Sequence, residues 1–512
     1  MLMIGFDGTT IHEAPAEFIA DLGGAILFQR NVHDAAQTRA LTAELQVARR
    51  SGTPPLLISI DEEGGIVSRL RPFGTPKPSA MSLGAAGDPD LTESIFALNG
   101  DELAALGITL NFAPVADVNS ERRNPVIGTR SFGGQPDLVA RHVAAAIRGL
   151  RRSGIASTAK HFPGHGDTLV DSHFDLPVIA RSMEQLELTE LPPFRAAIDA
   201  GVDVVMVANV AFPALDPSGI PATLSRPVVT GLLRDDMGFG GVICSDCMQM
   251  QAISSRYPAG EAAVRAVKAG VDLLVYSKPT DDVKAARAAL QAAVLDGTID
   301  AQQIERSLGR LDALRNAVRR NAPDVAALGL VGSPSHRAQA REAALRGLTL
   351  VRDPNALLPL RAATGERILI VHFSGDPNRP HGSAFTETSL GAALSDGPAR
   401  IQEQVRGIDP AGHEYKQMLM AAGAAATVIC VTYRAVSHVL QARAVADLAL
   451  IGKPVIVIAA REPYDVEVMP AEASIIAAYG DDESTMSAVA DVLLGREKAA
   501  GRLPVPFADA VP

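Results

Sequence analysis

Eight short apolar runs punctuate the first 280 residues: LMIGF, GAILF, PLLISI, ITLNFAP, IASTAKHF, VDVVMVANV, GVICSD and VDLLVYS, with Ala- and Leu-rich stretches between them. Their hydrophobicity is continuous rather than alternating, which marks strands buried on both faces. Helical segments such as Pro136–Arg152 and Gly260–Ala269 supply the crossovers that parallel strands require. The pattern predicts an α/β chain whose N-terminal part is a (β/α)8 TIM barrel closing near residue 280. Polar residues stand at or just after the strand ends: Asp7, Asp61, Asp117, Lys160, His161, Asn209, Asp246 and Ser277. A barrel delivers whatever follows its strands to one rim, and active sites lie there. Loops are polar for other reasons too, so the set carries more weight than any single position.

Helical patterning continues through AQQIERSLGRLDALRNAVRR, and NAPDVAALGLVGSPSHR (Asn321–Arg337) carries the Pro/Gly punctuation of a boundary. Beyond it RILIVHF, ATVICVTY, PVIVIAA and ASIIAAY alternate with helices such as Ser437–Leu450, which predicts a smaller parallel sheet covered on both faces. The expected organisation is a barrel over 1–320, a linker over 321–345 and an αβα sandwich over 346–512.

The formal net charge of −11, with no long Lys/Arg run, offers no footprint for a nucleic-acid backbone or an anionic membrane. No window reaches the roughly eighteen apolar residues of a membrane span, and no basic flank or cleavage site marks a signal peptide. Cys244, Cys247 and Cys430 are too few for a disulfide framework. The chain therefore reads as a cytoplasmic protein. MLMIGFDG opens directly as a strand, so a native segment ahead of it, a secretion signal included, is compatible with this reading.

KHFPGHGDTLVDSHFDLP (Lys160–Pro177) concentrates His161, His165, Asp167, Asp171, His173 and Asp175. A metal site is one reading, but Pro163, Gly164 and Gly166 disfavour the helix that would set His161 and His165 on one face, so no metal is expected. His161 or His165 alone reads as a satisfied loop residue. Asp171 and His173 differ: a carboxylate two residues from an imidazole can fix its tautomer and raise the basicity of its other nitrogen. Asp246, at the end of the apolar run GVIC, is the best second carboxylate on the predicted rim. It is either a nucleophile held by a rigid element or the N-cap of the next helix. Cys244 and Cys247 form a C-x-x-C without a second pair, and read as core and local packing respectively. DLGGA, DEEGG and GFGGV lack the spacing of a nucleotide loop, so no cofactor is indicated.

These residues resemble glycoside hydrolase family 3, in its β-N-acetylglucosaminidase branch. KHFPGHGDTLVDSH resembles the signature of that branch, and IDEEGGIVSR, NFAPVADV, NPVIGTRSFG and VICSDCMQM resemble its other blocks in order, over roughly residues 1–280. The resemblance implies Asp246 as nucleophile, His173 as general acid/base with Asp171 as its partner, and Asp61, Arg69, Arg130, Lys160 and His161 around the sugar. His165 and Asp167 would then be loop structure. Three positions depart from the pattern. Asn209 stands where many members have histidine, which leaves open the contact at that strand end. Glu62 and Ile66 stand where glutamine and arginine are more usual.

The chemistry so implied is a two-step displacement with retention, for which a retaining enzyme usually sets two carboxyls about 5 Å apart. Here the acid is an imidazole, which titrates near neutrality without burial. Neutral imidazole also repels an anion less than a carboxylate does, so a phosphorylase with phosphate as acceptor is the nearest rival to a hydrolase. A β-glucosidase or β-xylosidase with Glu483 or Glu387 as acid is a second rival, and a non-catalytic sugar-binding protein a third. The implied substrate is an oligosaccharide ending in β-linked N-acetylglucosamine, from cell wall or chitin.

Overall fold

The structure, a computed structural model, describes residues 1–13, 22–49, 52–169, 171–172, 175–320, 325–373, 389–395 and 397–507. All eight predicted barrel strands are present: β1 (Leu2–Ile4), β2 (Gly24–Leu27), β3 (Leu57–Ile60), β4 (Leu110–Asn111), β5 (Thr158–Phe162), β6 (Val204–Val207), β7 (Val242–Cys247) and β8 (Leu273–Tyr276). They pair in parallel in the order β4-β3-β2-β1-β8-β7-β6-β5. The seam between β4 and β5 is closed by isolated parallel bridges, Leu110↔Ala156 and Val115↔Lys160.

The barrel interior is filled rather than open. Met3, Ile26, Leu57, Phe112, Met206, Cys244 and Val275 form one buried cluster, and Leu311, Leu314 and Val318 of the helix Ala301–Arg320 join it. Outside the strands the helix Pro136–Arg152 shows why the alternation of strand and helix folds this way. Proline stands in its first turn, where no hydrogen bond is lost, and Val139, Val143, Ile147 and Leu150 recur on one buried face. Burying each of these is worth about 1.5–3 kcal/mol.

Among the described residues the second domain is a six-stranded sheet, in the order Arg400–Arg406, Arg367–Phe373, Thr427–Thr432, Val455–Ala459, Ser474–Ala477 and Thr349–Arg352. The predicted runs are β10 (Arg367–Phe373), β12 (Thr427–Thr432), β13 (Val455–Ala459) and β14 (Ser474–Ala477). Two edge strands were not among them. β9 (Thr349–Arg352) runs antiparallel to β14, so the sheet is mixed rather than purely parallel. β11 (Arg400–Arg406), with the sequence RIQEQVR, is half-buried at the opposite edge, where one free side tolerates polar residues. The stretch 321–345 expected as a linker holds most of a helix, Pro334–Gly347, which packs on Ala80–Ala86 of the barrel and on Glu483–Leu493 of the second domain. Among the described residues no helix is long and apolar enough to cross a membrane.

Candidate active site

The C-terminal ends of the strands open into a cavity of about 400 Å³. Ile26, Phe112, Met206 and Val275, the top layer of the barrel filling, make its floor. Asp61, Arg69, Arg130, Lys160, His161 and Asp246 all line it, so the barrel brings together residues from the ends of β3, β5 and β7 and from the loops after β3 and β4.

The walls are organised by charge. Lys160 Nζ lies 2.8 Å from Asp61 Oδ1 and 2.6 Å from Glu63 Oε1. Glu63 in turn receives a forked pair from Arg130, Nε to Oε2 at 2.9 Å and Nη2 to Oε1 at 2.8 Å. Burial alone would raise the pKa of Glu63, but the Arg130 and Lys160 charges outweigh it and hold the carboxyl well below the usual range. The same balance of burial against Lys160 and Arg69 keeps Asp61 low. Lys160 is held above its ordinary value by Asp61 and Glu63, against the opposing pull of burial, so it stays cationic.

The strand-end histidine is fixed by Asp117. Asp117 Oδ2 lies 2.7 Å from His161 Nδ1, and its Oδ1 accepts the backbone N–H groups of His161 (3.1 Å) and His165 (2.7 Å). A carboxylate can only accept, so Nδ1 carries the proton, and Nε2 is left facing Arg130 Nη2 at 3.5 Å. His165 also lines the cavity, with Nδ1 3.0 Å from Thr168 Oγ1 and Nε2 3.1 Å from Ser172 Oγ. Burial, with the nearby His161, pulls its pKa down to about 4, so it is a neutral brace for the residue beside Asp171. Both rings are thus engaged in hydrogen bonds, and among the described residues no group of three His, Cys, Asp or Glu side chains has a metal-binding arrangement.

Asp246 is half-buried at the end of β7, with Oδ1 accepting the Cys247 N–H at 2.6 Å. It does not cap the next helix, Gln251–Ser254, whose N-cap is Met250. Cys244 is buried in the barrel filling as expected, and Cys247 lines the cavity beside Asp246. Asp171 belongs to the described residues, and its carbonyl accepts the N–H of Asp175 at 3.2 Å. His173 lies outside them.

Two of the three departures from the family pattern, Asn209 and Glu62, have clear positions. Asn209 is fully buried; its Nδ2 donates to the Cys247 carbonyl (3.0 Å) and its Oδ1 accepts from Thr223 (2.7 Å). The side chain at this strand end therefore braces the backbone beside Asp246. Glu62 points away from the cavity, pairs with Lys77 at 3.1 Å and accepts the Arg69 N–H at 2.7 Å. It fixes the backbone of a cavity residue without facing the cavity. Glu483 is exposed and paired with Arg337 at 3.0 Å, and Glu387 lies outside the described residues.

A parallel barrel with carboxylates and cations interleaved in a cavity at the strand ends has the architecture of a TIM-barrel enzyme that takes a polar ligand. The chain matches the glycosyl hydrolase family 3 N-terminal domain over residues 2–314 and the family's C-terminal domain over 348–512, and it belongs to this family of glycoside hydrolases. It is 33% identical to β-hexosaminidase A of Pseudoalteromonas piscicida, over 97% of this chain and 91% of that protein. Among solved structures it is similar to a family 3 β-N-acetylglucosaminidase from Paenibacillus sp. str. FPU-7, with a TM-score of 0.92 and 39% identity over 99% of this chain and 97% of that one. A β-glucoside phosphorylase shares the fold, with a TM-score of 0.84 at 23% identity over 98% of this chain and 92% of that one.

Proposed function

We propose that the chain is an exo-acting, retaining β-N-acetylglucosaminidase that removes terminal β-linked N-acetylglucosamine from cell-wall or chitin-type oligosaccharides. The observation that carries this is the meeting of Asp246 with Asp61, Arg130, Lys160 and His161 in one walled cavity. Near full-length similarity to a β-hexosaminidase and a β-N-acetylglucosaminidase supports the choice of sugar.

In this reading Asp246 attacks the anomeric carbon while His173, oriented by Asp171, protonates the leaving oxygen; water then reverses the proton transfer and releases the sugar. Asp61 and Lys160 hold sugar hydroxyls as a charged acceptor and donor pair, with Arg130, His161 and Arg69 around them. Lys160 and Arg130 already face carboxylates inside the cavity, so a neutral sugar enters without leaving either cation unpaired.

The test is product analysis on aryl β-N-acetylglucosaminide and aryl β-glucoside, each with and without phosphate. We expect free N-acetylglucosamine of retained β-configuration, at a rate indifferent to phosphate. A phosphate-dependent sugar 1-phosphate would overturn hydrolysis in favour of phosphorolysis, and preference for the glucoside would overturn the sugar assignment.

A further inference from the structure

The loop from β4 to the helix Pro136–Arg152 carries Arg130, and the second domain grips this loop at several points. Arg434, just after β12, donates from Nη2 to the carbonyl of Asn124 at 3.3 Å. Asn124 then ties two cavity segments together: its Nδ2 donates to the carbonyls of His165 (2.9 Å) and Gly166 (3.0 Å), and its Oδ1 accepts the N–H groups of Val126 and Ile127, both at 2.9 Å. Further along, the Glu462 carboxylate, just after β13, lies against the turn Gly128–Arg130, with the Thr129 N–H among the groups that hold its pKa down. Gly128 makes that approach possible. Its φ is +46°, and a Cβ there would stand 1.8 Å from Glu462 Oε1.

Glu462 is 5% exposed, with Arg434 Nε at 3.8 Å and Arg461 Nη2 at 3.9 Å. Burial raises its pKa, but the two guanidinium groups win and keep it anionic. A buried carboxylate packed against the backbone of a three-residue turn, where a Cβ has no room, restricts how that turn can shift. The third residue of that turn is Arg130, whose guanidinium forks onto Glu63 inside the cavity.

We propose that Glu462 is a positioning residue for the glycosidase reaction: from the second domain it clasps the turn Gly128–Arg130 and so sets the Arg130 guanidinium at the sugar. The second domain thereby acts on the sugar side of the site through the backbone, and among the described residues none of its side chains lines the cavity. The inference rests on the reading of Arg130 as a sugar-binding residue. A carboxylate that merely glued the domains would affect melting temperature and leave substrate affinity intact.

The test uses the full chain with Glu462→Ala, Glu462→Gln, Gly128→Ala and the Gly128→Ala/Glu462→Ala double variant. Measured are kcat and KM on aryl β-N-acetylglucosaminide, inhibition by free N-acetylglucosamine, melting temperature, and hydrogen exchange of the 126–131 amides without ligand. Loss of this buried contact predicts that Glu462→Ala raises KM and the inhibition constant about tenfold, while Glu462→Gln, which keeps the volume and an oxygen against the turn, stays within about twofold. Gly128→Ala blocks the approach and should reproduce the loss, with a smaller added effect in the Glu462→Ala background. Should Glu462→Ala fail to fold, Gly128→Ala carries the same test. Wild-type KM and inhibition constant in Glu462→Ala, or equal damage by Gln and Ala, would overturn the proposal. A wild-type enzyme inactive on the N-acetylglucosaminide would instead defeat the functional reading. The exchange measurement then still tests the clasp, which is overturned if the 126–131 amides exchange no faster in Glu462→Ala.

Discussion

Replacing Glu63 by glutamine is the sharpest perturbation of the cavity wall. Glu63 is buried and accepts from two cations, Arg130 at 2.9 and 2.8 Å and Lys160 at 2.6 Å. Glutamine keeps the volume and one acceptor oxygen, but removes the charge and turns an NH2 group toward a cation. Removing one partner of a buried ion pair costs about 3–5 kcal/mol, because the other charge stays buried without compensation. Lys160 keeps Asp61 at 2.8 Å, so the lower end applies. That is about 3 kcal/mol, or a melting temperature lower by roughly 6 °C at about 2 °C per kcal/mol for a large domain. The pH dependence has a fixed sign. The Glu63 pKa is depressed on folding, so its contribution is fully present above the unfolded value of 4.5 and is lost as pH falls toward the folded value. Thermal melts of wild type and Glu63→Gln should differ most at neutral pH and converge progressively below pH 4.5. A variant as stable as wild type at pH 7, or a gap that widens in acid, would refute the reasoning.

Asp246→Ala should lower kcat by about 10⁴-fold or more on every substrate while leaving the melting temperature near wild type, as expected for a nucleophile on a rigid strand end. His173→Ala should cost about 10²–10⁴-fold on disaccharides and far less on a dinitrophenyl glycoside, whose leaving group needs little protonation. Asp171→Ala should act in the same direction, and the double variant should be strongly non-additive; equal losses on both leaving groups would remove the acid role. The His165 pKa falls from 6.5 to about 4 on folding, so stability is lost as pH falls through that window. His165→Gln should flatten this part of the melting-temperature profile, and an unchanged slope between pH 6.5 and 4 would show that His165 is not buried neutral.

The barrel was legible because its strands are buried on both faces and its helices on one, so two kinds of hydrophobic pattern alternate along the chain. VDVVMVANV and GVICSD need no neighbour to be read as interior strands. RIQEQVR was not legible for the same reason. An edge strand has polar residues wherever solvent reaches it, and only pairing with β10, from Arg367↔Arg400 to Phe373↔Arg406, defines it. The helix Pro334–Gly347 was obscured by the Pro and Gly ahead of it, which read as a boundary. The proline is in fact a first-turn residue behind Ser333, whose hydroxyl accepts the His336 N–H.

Local spacing singled out Asp246 and the Asp171/His173 pair as candidates but passed over Glu63, although the strand period contained the signal. β3 ends at Ile60, and the alternation of the strand carries on through Asp61, Glu62 and Glu63. Asp61 and Glu63 therefore fall on one side, where both meet Lys160, while Glu62 falls on the other and meets Lys77. Three adjacent carboxylates at a strand end would repel one another if all faced the cavity. The alternation sends the odd pair to the cavity cations and the middle one to a separate buried lysine. The glutamate at position 62 is thus matched by Lys77 and by the N–H groups of Arg69 and Leu70, which makes it a support of the cavity wall rather than part of it. Asn209 follows the same logic across another strand pair. Its residue type was visible, but its role depends on the Cys247 carbonyl, thirty-eight residues later, which only the adjacency of β6 and β7 brings within 3.0 Å. What sequence leaves hidden here is the partner of a residue across the barrel, and that partner decides whether a carboxylate or amide touches the cavity or holds the backbone that does.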